Sequence, residues 1–299
     1  MASKPSQMIH AFLKFFNFNQ RLSKFIASSN FGKEEKVKPS KKMIKRYDIE
    51  IKDINHEKMY IWHSKAKKKH VLIFYVHGGA FVKRQNNLHF NLFTTIVKKT
   101  GFMLIAPNYP LVPHGHVDDI YEHLELCYEE VKLLYPKHKI IFMGDSAGGG
   151  LALGLTQRLH QKEGIKDQSV ILISPWLDIS MSHPMIKDIQ KNDPILNHQT
   201  LKDIGQMYKG SHDYHDKIVN PLIMPFKGIK QVYVWTGTYD ILYADAIMLE
   251  EKCIKQDIDI KMHVYEEMLH TWIYFGVPES KMAMKEIIET VLHLSEEKT

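Results

Sequence analysis

In Gly144-Asp145-Ser146-Ala147-Gly148 a serine sits close between two glycines. The apolar run Ile140–Met143 precedes it and the helical pattern Ala147–Glu163 follows. A chain that turns this sharply from strand to helix needs glycines at 144 and 148, where side chains would collide. The turn lifts the Ser146 hydroxyl clear of the sheet edge. It also places it at a helix N-terminus, where backbone N–H groups favour negative charge. The chemistry open to such a serine is nucleophilic attack on an acyl carbon.

That attack leaves charge on the carbonyl oxygen, and His77-Gly78-Gly79-Ala80-Phe81, directly after the strand pattern Val71–Val76, offers a place to hold it. Without side chains, Gly78 and Gly79 let their N–H groups approach a bound carbonyl. The N–H of Ala147, after the nucleophile, is the expected third donor. One such donor typically contributes about 2.7–4 kcal/mol of barrier lowering. Alone, Gly-Gly is only a turn; its place upstream of the serine turn gives it this second meaning.

A serine hydroxyl at neutral pH needs a base. The chain has 18 histidines, and His212, His215, His263 and His270 lie late enough for the order serine, acid, histidine. His263 falls inside the last strand pattern. His270, in Glu267-Met268-Leu269-His270-Thr271-Trp272, follows that strand in a loop, where a mobile base belongs, and it is the expected base. Asp240, in Gly237-Thr238-Tyr239-Asp240 after the preceding strand, is the expected acid that holds the imidazole tautomer. Asp245 is the alternative, although it stands where a helix N-cap is expected. Asp145 reads as a hydrogen-bonding brace for the turn. His212, Asp213, His215 and Asp216, like His114 and His116, read as polar loop residues rather than metal ligands. Phe81, Trp176, Tyr208 and Trp272 fit either a substrate pocket or the core.

These residues need a scaffold. Met43–Ile51 and Lys58–Trp62 read as strands of an antiparallel start. Val71–Val76, Phe102–Ala106, Ile140–Met143, Val170–Ile173, Val232–Trp235 and Ile260–Tyr265 read as further strands. Helical patterns at Leu88–Lys99, Val117–Leu134, Ala147–Glu163, Ala244–Gln256 and Lys281–His293 separate most of them. This alternation implies an α/β fold with a mostly parallel eight-stranded sheet flanked by helices. From Asp178 to Met224 the rhythm breaks into polar, proline-punctuated sequence, the mark of a lid or binding insertion. The expected division is an N-terminal helical cap segment at 1–42, core at 43–177, a cap insertion at 178–226 and core again at 227–299.

His77-Gly78-Gly79-Ala80-Phe81, Gly144-Asp145-Ser146-Ala147-Gly148-Gly149, Ser174-Pro175-Trp176-Leu177-Asp178, Gly237-Thr238-Tyr239-Asp240-Ile241-Leu242 and His270 together resemble the hormone-sensitive-lipase family of bacterial carboxylesterases. The resemblance runs in order from Val71 to Trp272. It implies an α/β-hydrolase fold, a cap of N-terminal helices plus an insertion, short- to medium-chain ester substrates, and no metal or organic cofactor. The chain departs from the family at Ala80, where a third glycine is usual. It departs again at Tyr109-Pro110-Leu111-Val112-Pro113-His114, which lacks the family's arginine and glutamate and so a structural ion pair. An amidase, formamidase or deacetylase with the same triad is a rival reading. So is a non-catalytic small-molecule-binding protein on the same fold, though such proteins typically lose the histidine.

The 299 residues are 44% hydrophobic, enough for a large core, and carry a net charge of +6. Much of that charge lies in runs such as Lys65, Lys67, Lys68 and Lys69, or Lys33, Lys36, Lys38, Lys41 and Lys42, which read as solvated turns and linkers rather than a nucleic-acid surface. Cys127 and Cys253 sit in separate helical patterns and form no disulfide framework. No signal-peptide pattern opens the chain and no apolar stretch is long enough to span a bilayer. A soluble, cytoplasmic protein without stable membrane insertion is therefore expected, with a homodimer left open. Ile9, Phe12, Leu13 and Phe16, then Leu22, Phe25 and Ile26, form an apolar helical stripe. The plainest expectation is burial of this stripe against the rest of the chain; a membrane surface or a substrate passage are the alternatives.

Overall fold

Val71–Val76 is apolar at every position because both of its faces are covered. Leu72, Phe74 and Val76 enter one hydrophobic core while Val71, Ile73 and Tyr75 enter another. The two-residue period of a strand thus divides one run between two layers. In chain order the computed structural model comprises α1 (Lys4–Phe15), α2 (Arg21–Ile26), α3 (Lys41–Tyr47), β1 (Ile49–Ile54), β2 (Glu57–Trp62), β3 (Val71–Val76), α4 (Asn87–Thr100), β4 (Met103–Pro107) and α5 (Val117–Leu134). There follow β5 (Lys139–Asp145), α6 (Ala147–Glu163), β6 (Gln168–Ile173), α7 (Ile186–Ile189), α8 (His198–Tyr208), β7 (Ile229–Gly237), α9 (Tyr243–Lys255), β8 (Asp259–Tyr265) and α10 (Pro278–Glu296). The structure describes residues 1–28, 31–32, 37–64 and 70–296.

The eight strands form one sheet in the order β1-β2-β4-β3-β5-β6-β7-β8. The β1–β2 and β2–β4 pairs are antiparallel; every later pair is parallel. Side chains of α5, α6, α8 and α9 (Tyr121, Leu151, Ile204, Leu249) cover one face. Those of α4 and α10 (Phe90, Phe93, Ile287, Val291) cover the other. Helix ends follow local chemistry: Asp119 Oδ2 accepts the His116 N–H to open α5, and Gly164, at φ 70°, closes α6 in a left-handed cap.

One element differs from expectation. The Met43–Ile51 segment is not a strand throughout: α3 occupies Lys41–Tyr47, and β1 starts only at Ile49. Ser40 caps the helix by accepting the Met43 N–H at 3.2 Å, and Asp48, at φ 50°, ends it. Lys41 and Lys42 therefore belong to a helix rather than a linker. Lys33, Lys36, Lys65, Lys67, Lys68 and Lys69 lie outside the described residues. The insertion holds two helices, α7 and α8, joined by loops. Among the described residues no helix is long and apolar enough to cross a membrane.

Candidate active site

Ser146 stands between β5 and α6 with φ 53° and ψ −128°, a backbone region that non-glycine residues rarely enter. Two close approaches hold it there. A Cβ on Gly144 would drive into the Gly148 carbonyl oxygen, and one on Gly148 into the carbonyl oxygens of Val76 and His77. Those obstacles are backbone, so they cannot swing aside. Gly148→Ala is expected to lower stability by about 1–3 kcal/mol through overpacking and to displace Ser146. Thermal melting beside turnover measures both, and an unshifted melting temperature would contradict the packing argument.

Three distant segments converge on this serine. His270, in the loop after β8, places Nε2 3.0 Å from Ser146 Oγ and Nδ1 2.8 Å from Asp240 Oδ2, in the loop after β7. A carboxylate only accepts, so Nδ1–H donates to Asp240 and Nε2 is left to accept from the serine hydroxyl. Asp240 Oδ1 accepts the Leu242 N–H at 2.9 Å, which fixes the carboxylate plane. All three residues are buried. Burial alone would lower the His270 pKa, but the charge and hydrogen bond of Asp240 outweigh it and the net direction is upward.

Asp245 and His263 do other work. Asp245 lies inside α9 rather than at its cap, and its Oδ2 accepts the N–H groups of Leu177 and Asp178 at 2.6 and 3.0 Å. It thus holds the start of the insertion. His263 Nδ1 sits 3.2 Å from Glu286, with its ring stacked on Trp235. His212 bridges Asp118 and Asp216, at 2.8 and 3.1 Å, and these hydrogen bonds, that to Asp118 foremost, raise its pKa. His114 and His116 meet the carbonyls of Gly32 and Met207, and the His215 N–H donates to Asp213.

The glycine pair behaves unequally. The Gly78 N–H donates to Asp145 Oδ1 at 2.9 Å, and that oxygen also accepts the Tyr75 hydroxyl at 2.9 Å. Gly78 is therefore not free to bind a substrate oxygen, which corrects its expected role. Asp145 is the brace, tying the serine turn to the loop after β3. His77 supports the same loop: its Nδ1 donates to the Gly78 carbonyl at 2.7 Å, and its ring stacks on Tyr109 at 4.4 Å. Burial drops the His77 pKa to about 3, so this ring is neutral. Among the described residues the N–H groups of Gly79, Ala80 and Ala147 meet no acceptor. Gly79, at φ 127°, and Ala80, at φ 53°, line the same cavity as Ser146 and His270, and Gly78 does not.

That cavity holds about 330 Å³. Phe18 and Leu22 of the N-terminal segment and Ile195 and Leu196 of the insertion supply its apolar wall. A larger one, about 420 Å³ beside Arg46 and Tyr47, contains none of these groups. Phe81, Trp176, Tyr208 and Trp272 are core: Phe81 stacks on Tyr208 at 3.8 Å and meets Trp176 at 5.2 Å, while Trp272 lies against Tyr265.

Sequence reasoning missed Asp193. This buried carboxylate in the insertion accepts the N–H groups of Ile195 and Leu196 through Oδ1, and that of Ile241 through Oδ2, at 2.8–2.9 Å. It fastens the insertion to the residue after Asp240. Burial, then the Asp240 charge, push its pKa upward.

A profile of the α/β-hydrolase fold matches residues 73–274, more than half of the chain. The chain belongs to the α/β-hydrolase family. An esterase of Acinetobacter venetianus is 31% identical over 223 residues, which cover 73% of each chain. An acetyl-hydrolase of Streptomyces hygroscopicus is 22% identical over 75% of this chain and 76% of its own. Among solved structures, this α/β-hydrolase superposes on an esterase from the bacterial hormone-sensitive lipase family with a TM-score of 0.80. The two are 20% identical over 98% of this chain and 99% of that one. A hormone-sensitive-lipase homologue from a metagenome library gives a TM-score of 0.82 at 19% identity, over 99% and 100% of the two chains.

Proposed function

We propose that this chain is a serine carboxylesterase for esters of short- to medium-chain acids, with an acyl-enzyme formed on Ser146. The observation that carries this reading is the Ser146–His270–Asp240 line of hydrogen bonds, opening onto a cavity with unpartnered backbone donors. The names of the relatives, esterase and acetyl-hydrolase, support ester hydrolysis. A cavity of about 330 Å³ is near the small end of ligand sites, which suits short acyl groups.

In the proposed reaction His270 Nε2 takes the hydroxyl proton as Ser146 Oγ bonds to the acyl carbon. The N–H groups of Gly79, Ala80 and Ala147 hold the resulting oxyanion. His270 then gives its proton to the departing alcohol oxygen as the C–O bond breaks. Water repeats the cycle: it loses a proton to His270, adds to the acyl carbon and releases the acid and free Ser146. The N-terminal segment and the 178–226 insertion serve as the cap, since both supply cavity wall. Cys127 and Cys253 are buried and free, which suits a cytoplasmic setting.

Matched p-nitrophenyl esters and p-nitroanilides test the bond type. Ester cleavage is expected to dominate and to fall as the acyl chain outgrows the cavity. Dominant anilide cleavage would make the chain an N-acyl hydrolase instead. No turnover and no fluorophosphonate labelling would make it a binding protein.

A further inference from the structure

The apolar stripe of the first helix is only partly buried. Leu13 enters the protein, whereas Met8, Phe12, Phe15 and Phe16 stay 72%, 60%, 80% and 58% exposed. The Phe12 and Phe16 rings lie 4.7 Å apart and those of Phe15 and Phe16 5.1 Å, so they form one patch rather than scattered side chains. Lys4, Met8 and Phe12 follow one another at four-residue spacing, along one line of the helix, and Phe16 closes its end.

The opposite side of α1 is anchored. Ser6 Oγ donates to Glu279 at 2.7 Å, and His10 Nε2 donates to the Asn192 carbonyl of the insertion at 2.9 Å. The patch is thus presented on a fixed support. The first 28 residues carry Lys4, Lys14, Arg21 and Lys24, and no aspartate or glutamate. Aromatic rings with Lys4 on the same helical line, in a segment whose only charged side chains are cationic, match the headgroup boundary of an anionic bilayer, where rings enter the interface and ammonium groups meet phosphates. A second copy of the chain fits less well, because two such faces would bring like charges together. The segment also reaches the active-site cavity through Phe18, Arg21 and Leu22.

We propose that the face built from Lys4, Met8, Phe12, Phe15 and Phe16 docks this protein on an anionic lipid surface. The helix lies in the interface and does not cross it, and the cavity mouth sits beside lipid that can dissolve ester substrates. Docking stands on this surface and not on the role of Ser146, and its readout is binding rather than turnover.

The test is flotation of the full chain with vesicles of phosphatidylcholine alone and of phosphatidylcholine mixed with phosphatidylglycerol. The mixed vesicles are expected to carry the protein, and added salt to release it. The triple variant Phe12→Ser/Phe15→Ser/Phe16→Ser is expected to bind about tenfold more weakly or worse. Lys4→Glu/Lys24→Glu is expected to lose the preference for the mixed vesicles. Circular dichroism melting checks that both variants are folded, and their turnover of a water-soluble ester should be unchanged. Wild-type protein left behind by both vesicle types, or a triple variant that floats as well as wild type, overturns the proposal. So does a dimer in sedimentation that the triple variant splits, since a second copy would then cover the patch.

Discussion

Ser146→Ala is expected to lower kcat for p-nitrophenyl butyrate by about 10⁶, with the fold intact. The substitution removes one oxygen and keeps the Cβ, so the φ 53° turn and its glycine contacts survive. What is lost is the oxygen 3.0 Å from His270 Nε2 that is proposed to bond to the acyl carbon. Any remaining rate would come from water acting beside the free N–H groups of Gly79, Ala80 and Ala147. Steady-state kinetics, a melting curve and fluorophosphonate labelling of the same preparation separate chemistry from folding. A folded variant keeping even a tenth of wild-type turnover would remove Ser146 from the mechanism.

Asp240→Asn is expected to cost about 10⁴ in kcat by leaving the imidazole in the wrong tautomer. An amide can turn its NH₂ toward Nδ1, which then accepts; Nε2 becomes the N–H and cannot take the serine proton. The pH profile gives a second readout. His270 must be neutral to act as base, and its pKa is raised above 6.5 because Asp240 outweighs burial. In the wild type, kcat/KM should therefore fall as pH drops through a value above 6.5 and be fully present at higher pH. Without the Asp240 charge, burial is opposed only by the lesser influence of Asp193 and Asp145, so the residual activity of Asp240→Asn should extend to lower pH. An unmoved acid limb with full turnover would show that this carboxylate does not govern the base.

Where one local force dominates, the sequence is transparent. Val71–Val76, Val117–Leu134 and Ala147–Glu163 have the same bounds in the structure as in the sequence reading. Continuous burial fixes the first, the Asp119 box the second, and the glycine cap the third. Met43–Ile51 reads as one strand, but only its end from Ile49 joins the sheet, because the Ser40 cap after Pro39 opens a helix at Lys41, a signal that the sequence itself carries. The convergence of Ser146, Asp240 and His270 was legible because each follows a strand end, in the order serine, carboxylate, histidine. The fate of the Gly78 N–H was not, since its acceptor lies 67 residues away and nothing local announces it. A carboxylate as buried as Asp145 must nonetheless find donors, and the nearest loop amide is a natural source. Asp193 was hidden for a related reason: Ile195 and Leu196 are local partners, but the third, the Ile241 N–H 48 residues away, is set by how the insertion folds back on the core.

That fold-back limits how the enzyme could be re-engineered. Loops that shape a cavity invite grafting, and residues 178–226 look like a cassette to exchange for a different acyl preference. Yet Asp193 grips the amide of Ile241, immediately beyond Asp240, the proposed triad acid. A transplanted cassette without a carboxylate at that point would loosen the proton relay while reshaping the specificity pocket. On the proposed mechanism, one side chain would couple substrate range to catalytic power, and chimeras that ignore it should lose both together.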